Sequence, residues 1–223
     1  MPDLSAFGAS LAIALLAAVM LWFALGTQRN IRRGNELLRW LQDGLPLLGE
    51  RTTLRWLGSS VVELRIVEPE APFREAELLV VLEPRDLGAL WALAHRRGRR
   101  DFLVLRARLV RAPRFSVDLA DPQSWTIGDL RHRWAAGERG GSSWNGTWDG
   151  TALEGRHDAT TNLDELRGWW KQLASVSAGV WRISVSPVVP HLELHFLPPA
   201  DGVSSLRLMG AIRDVAQQIA PSA

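Results

Sequence analysis

From Leu4 to Gly26 the chain is almost uniformly apolar and carries no charge (LSAFGASLAIALLAAVMLWFALG), whereas from Arg29 onward apolar residues recur with the periods of amphipathic helices and strands. At about 1.5 Å per residue the first stretch, as a helix, would run roughly 34 Å, enough to cross a hydrocarbon core of about 30 Å. In lipid every backbone polar group must be paired within the segment, so a helix is the conformation expected. Trp22 and Phe23 lie near its C-terminal end, where aromatic side chains suit an interface. Asp3 precedes the stretch, and Arg29, Arg32, Arg33 and Arg39 follow it. The positive-inside rule then predicts a cell-membrane protein with a single span and a cytoplasmic C-terminal domain. The rival reading is a cleaved signal peptide, since Ala24-Leu25-Gly26 has a small-x-small pattern. Against it stand an n-region without Lys or Arg and an apolar run longer than the usual ~7–15 residues.

The later pattern predicts an α+β fold with a largely antiparallel sheet and packed helices. Asn35–Gly44 has helical periodicity, with Leu37, Leu38 and Leu41 on one side, and Ile31, Leu38 and Leu45 stand seven apart. That spacing fits a short coiled coil or, better, packing on the chain's own domain. Thr53–Leu57 and Val61–Val67 read as paired strands, and Glu77–Glu83 as a buried one. Asp86 is placed to cap a helix reaching His95, with Leu87, Leu90, Trp91 and Ala94 as its buried stripe. Asp101–Val110 alternates cleanly as a strand, and Phe115–Leu119 is expected to form a hairpin with it. Asn162 or Asp164 opens a helix to Leu173; strands follow near Trp181–Ser186 and His191–Phe196, and Ser204–Ile219 closes as a helix.

Four segments result: an anchor (1–27), a first soluble half (28–120), a polar Gly/Ser/Trp-containing loop or linker (121–161), and a second half (162–223). Within the third, Asn145-Gly146 between Trp144 and Trp148 predicts a tight hairpin turn. The two halves echo each other. Glu36-Leu37 with Trp40 corresponds to Glu165-Leu166 with Trp169, Leu54-Arg55-Trp56 to Trp181-Arg182-Ile183, and Glu63-Leu64 to Glu193-Leu194. Two similar helix-strand-strand-helix units would account for this.

Composition narrows the chemistry. A hydrophobic fraction of 47% and a charged fraction of 22% are those of a globular chain, and a net charge of +2 does not suit a polycation built for nucleic acid. The sequence has no cysteine, which excludes disulfides, thiolate metal sites and cysteine nucleophiles. Gly137–Gly141 lacks the Gly-Lys-Ser/Thr of a phosphate loop, and no Gly-x-Ser-x-Gly elbow occurs. Neither catalytic nor cofactor residues are therefore assigned.

Four features retain functional interest. His191, Glu193 and His195 alternate on a strand, so they would share a face as in a metal-dependent enzyme, or simply be its solvated side. Arg96, Arg97, Arg99 and Arg100, followed by Arg106, Arg108, Arg111 and Arg114, would grip anionic lipid or serve solubility. Trp125, Trp134, Trp144 and Trp148 fall in a polar stretch, where exposed aromatics would form a contact surface. Ala6, Ser10, Ala14 and Ala18, with Gly8 and Ala12 beside them, give the apolar helix a small-residue face suited to a second helix. The expectation is a non-enzymatic, membrane-tethered interaction or assembly protein with a protein partner or a second copy of itself. A reader of anionic membrane surfaces and a metal enzyme are the alternatives.

Overall fold

A computed structural model describes residues 4–138, 140–198 and 202–220, with side chains from Gly8 onward; Asp3 and the Ala6 side chain lie outside the described residues. The apolar stretch and the amphipathic segment after it form one unbroken helix, α1 (Leu4–Gln42). Its N-terminal part is long and apolar enough to cross a membrane, and every residue from Gly8 to Leu25 is exposed. The lower part carries a buried stripe of Gly26, Asn30, Gly34, Leu37 and Leu41, spaced by three and four residues. Gly44 and a 3-10 turn at Leu45–Leu47, with Pro46 in its first turn, end the helix.

The rest is α+β. After the turn come β1 (Gly49–Trp56), β2 (Val61–Pro69), β3 (Phe73–Val81), α2 (Gly88–Arg96), β4 (Phe102–Leu109), β5 (Val117–Ala120) and α3 (Ile127–Ala135). β6 (Ser142–Trp148), β7 (Thr151–His157), α4 (Leu163–Ala174), β8 (Val180–Val185), β9 (Leu192–Phe196) and α5 (Ser205–Ile219) complete the chain. The described strands make one nine-stranded sheet in the order β1-β2-β3-β4-β9-β8-β5-β7-β6, antiparallel throughout. The β1–β2 hairpin forms an edge, and the β8–β9 hairpin sits near the centre, joined to the first half through β4 and β9.

The lower part of α1, α4 and α5 cover one face of this sheet. Leu37, Leu41, Leu166, Trp170, Leu173, Met209, Ile212 and Val215 bury there against inward residues such as Leu64, Leu78, Leu105, Leu194 and Ile183. Each fully buried leucine contributes roughly 2 kcal/mol. Local signals set the helix starts. The Asn162 side chain accepts from the backbone N–H of Asp164 and Glu165, and Ser204 accepts from Arg207.

Three expectations change. Phe115–Leu119 does not pair with β4; β5 lies between β8 and β7, because β9 has taken the free edge of β4. Residues 121–161, expected as a polar loop, hold α3 and the β6–β7 hairpin. That hairpin turns at Asp149-Gly150, both at positive φ (47° and 84°), and not at Asn145-Gly146. Either dipeptide suits a tight turn. The register adopted lets Trp148 meet Trp170 edge to face and gives the Trp144 ring the space over Gly146, where a Cβ would come within 2.4 Å of it.

Candidate functional site

Two regions of polar side chains stand outside the core, one at the junction of α1 with the domain and one on the sheet face that the helices leave uncovered. At the junction, glycines let backbone meet backbone. A Cβ on Gly26 would lie 2.2 Å from the Arg85 carbonyl oxygen, and one on Gly34 2.6 Å from the Trp56 ring. Between them Asn30, fully buried, donates through Nδ2 to the Glu83 carbonyl (3.1 Å) and accepts at Oδ1 from Arg85 (3.2 Å). Arg85 then grips Asp101 with both Nη atoms (3.0 and 3.1 Å), and Arg33 reaches the same carboxylate at 3.4 Å. The Glu83 carboxylate accepts from Trp91 Nε1 (2.6 Å) and lies 3.0 Å from His95 Nδ1, tying in α2. Higher on α1, Trp22 Nε1 donates to the Arg85 carbonyl at 3.2 Å. The helix is thus fastened to the domain over several turns, and no flexible linker separates the two.

α2 differs from its expected form. Leu87 caps it, and the Asp86 carboxylate instead accepts from the Ser59 hydroxyl. Leu87 and Leu90, expected in the core, are about half exposed, and so is Leu93 beside them. Trp91 turns inward to Glu83, so the apolar stripe faces away from the sheet.

The uncovered face carries a row of residues in register across all nine strands: Thr53, Arg65, Glu77, Arg106, Glu193, Ser184, Asp118, Arg156 and Ser143. Opposite charges alternate through its first part, as cross-strand neighbours favour. α3 covers only one end, packing Leu130 and Trp134 on Ala120. At the other end Arg65, Glu75, Arg106 and Arg108 line a shallow groove of about 420 Å³, with Val189 and Pro190 as an apolar lip.

Three members of this row, Arg106, Glu193 and Asp118, join a charge network with Arg182 and His195. Asp118 accepts from Arg182 at both oxygens (3.0 and 3.2 Å) and from Trp134 Nε1 (3.1 Å). Glu193 accepts from Arg182 (2.6 Å), His195 Nε2 (2.7 Å) and Arg106 (3.3 Å). Burial opposes ionisation of Glu193, but the His195 hydrogen bond and the Arg182 charge outweigh it and hold its pKa down at about 2. Burial pushes the His195 imidazole below its ordinary range, with Arg182 adding to the effect. A neutral ring donating from Nε2 to Glu193 leaves Nδ1 unprotonated, and that atom is buried without a partner in the described structure.

The His-x-Glu-x-His expectation is therefore met by two residues of three. Glu193 and His195 come together, whereas His191 Nδ1 accepts from the Leu109 N–H (3.1 Å) at the end of β4. The cation beside Glu193 is the guanidinium of Arg182, and no three His, Asp or Glu side chains among the described residues converge as metal ligands. The tryptophan surface also contracts. Trp134 and Trp148 are buried, Trp144 packs on Trp148, and Trp125 stays exposed with Arg99 4.8 Å over its ring. The arginines divide into three groups. Arg96, Arg97 and Arg100 are exposed beside α2, while Arg106 and Arg108 belong to the open face and Arg111 and Arg114 lie beyond the far end of β4.

Asn30, Glu83, Arg85 and Asp101 went unnoticed in the sequence. The signal available was the spacing Gly26, Asn30, Gly34, which marks a close-packed stripe on α1. No protein-family model matches the sequence, and a comparison with curated proteins finds no significant similarity.

Proposed function

We propose that this chain is a single-pass membrane protein whose domain is held in a fixed pose at the cytoplasmic face, and that it acts as a non-enzymatic interaction or assembly module. The observation that carries the reading is the fastened junction, from Trp22–Arg85 through Gly26 and Asn30–Glu83 to Arg33–Asp101. A linker would serve mere tethering; a rigid continuation fixes the height and direction of the surface it carries. Orientation follows from Arg29, Arg32, Arg33 and Arg39 after the span. The surface presented is the uncovered sheet face, where the charged row and the Val189–Pro190 lip suit a protein partner, either another protein or a second copy of this chain. The strongest titratable cluster is consistent with this, since its carboxylates are already occupied by arginines from the same chain.

A photo-cross-linking residue at Val189, compared with one at the exposed Lys171 on α4, tests the reading in native membranes. The expected result is a reproducible adduct from position 189 only, lost on Arg108→Ala. No adduct, or the same adducts from both positions, contradicts it.

A second reading, recognition of anionic lipid, is favoured by one observation. Arg96, Arg97 and Arg100 are exposed at the C-terminal end of α2, beside the helix that would span.

A further inference from the structure

α2 meets α1 within the apolar stretch and not below it. A Cβ on Gly88 would stand 2.7 Å from the Trp22 ring, and Ala18, Val19, Trp22 and Phe23 of α1 share an apolar concavity of about 660 Å³ with Leu87 and Leu90. Its lining is nearly devoid of polar surface, Asp86 at its margin apart. The polar side of α2, with Trp91 and His95 on Glu83, faces the domain. Leu87, Leu90 and Leu93 face outward and are half exposed, although a nine-residue helix with that pattern would normally bury them.

Length then decides what covers them. Above the level at which α2 begins, the uncharged stretch that follows Asp3, Leu4 to Ala18, is 15 residues long. At about 1.5 Å per residue it runs only roughly 22 Å, short of a hydrocarbon core of about 30 Å, and tilting shortens it further. The missing depth has to be supplied by the turns carrying Val19, Trp22 and Phe23, which are the turns α2 packs against. The first charge on the far side, Arg29, comes seven residues after Trp22. A span placed anywhere along this helix therefore brings the outward leucines of α2 into the same leaflet.

We infer that α2 is an in-plane membrane helix. Its outward apolar side, Leu87, Leu90 and Leu93, is immersed among the lipid acyl chains next to the span, and an acyl chain fills the concavity between the two helices. Immersion removes the exposed leucines from water, and it sets Arg96, Arg97 and Arg100 at the end of α2 at the depth of the phosphate groups. The domain is thereby held to the bilayer at two points, which fixes rotation about the span as well as height. This inference rests on the single-span reading, and the test separates the two.

The chain has no cysteine, so single-cysteine variants of the full-length protein can each carry one nitroxide in liposomes of zwitterionic phospholipid with a minority of anionic lipid. Leu15→Cys reports on the span, Leu90→Cys on α2, and Ser142→Cys on the sheet edge; all three side chains are exposed, so none removes core packing. The expected result is that the labels at 15 and 90 collide freely with oxygen and severalfold less with a polar nickel chelate than the label at 142. A label at 90 as open to the chelate as that at 142, with 15 still protected, overturns the inference and leaves the span standing. A label at 15 open to the chelate overturns both.

Discussion

Gly26 meets the carbonyl oxygen of Arg85 so closely that a Cβ on the glycine would lie 2.2 Å from it. The contact joins the helix that would leave the membrane to the loop between β3 and α2, backbone against backbone. Gly8, on the same helix, has no heavy atom within 4 Å of its Cβ position. Gly26→Val therefore has to force the two backbones apart, a change expected to cost about 1–3 kcal/mol, whereas Gly8→Val is neutral. In thermal unfolding of the detergent-solubilised chain, Gly26→Val should lower Tm by roughly 2–10 °C. Equal Tm values for the two variants would mean that the junction is not close-packed.

The Arg182 guanidinium is almost fully buried between Asp118 and Glu193. Removing one partner of such a network leaves carboxylates buried without compensation. Arg182→Met is expected to destabilise by about 3–5 kcal/mol, and adding Asp118→Asn should restore part of that loss. A second substitution that only deepened the loss would show that the carboxylates are held by something other than Arg182.

Stability should fall with acid in two steps of the same sign. Burial depresses the pKa of His191 and His195 in the folded state, so both fold neutral. The unfolded chain takes up their protons first, and stability is full above about pH 6.5 and declines as the pH drops below it. Glu193, lowered from 4.5 to about 2, adds a second loss as the pH falls between those values. Denaturant midpoints against pH, compared with those of His195→Gln, check this; the variant should reduce the upper step to the part His191 contributes and keep a smaller lower one, since Arg182 still faces Glu193. A midpoint that rose as the pH fell through 6 would contradict the neutral, buried assignment.

What the sequence displayed depended on the range over which each signal acts. The apolar stretch, its arginine flank and the Asn162 and Ser204 helix starts were legible, because length, charge and capping are local. The leucines of α2 were legible as an apolar face, but periodicity does not say what covers a face, and here the domain turns it outward. Asn145-Gly146 and Asp149-Gly150 were equally good turns. The choice between them came from Trp144 and Trp148 packing above β7 and α4, a contact between distant segments. β5 was assigned to the wrong neighbour for a similar reason, since β9 pairs with β4 across a separation of 87 residues between Arg106 and Glu193. Glu193 and His195 were singled out together with His191, which instead accepts from the Leu109 N–H at the end of β4. Their partner Arg182 lies on a different strand and carried no signal of its own beyond its place in the Trp181-Arg182-Ile183 echo.

The most direct test of the account is the side of the membrane on which the domain lies. Ser142→Cys puts a single thiol at an exposed position on β6. It is to be labelled with a membrane-impermeant maleimide in intact cells and again after lysis, with chain length read on the same gel. The account predicts full-length protein labelled only after lysis. Labelling in intact cells, or a chain shortened by about 26 residues as signal cleavage would produce, would contradict it. A cut at that position would also remove Trp22 and leave Gly26 at or near the new terminus, and the fastened junction would be lost with the span.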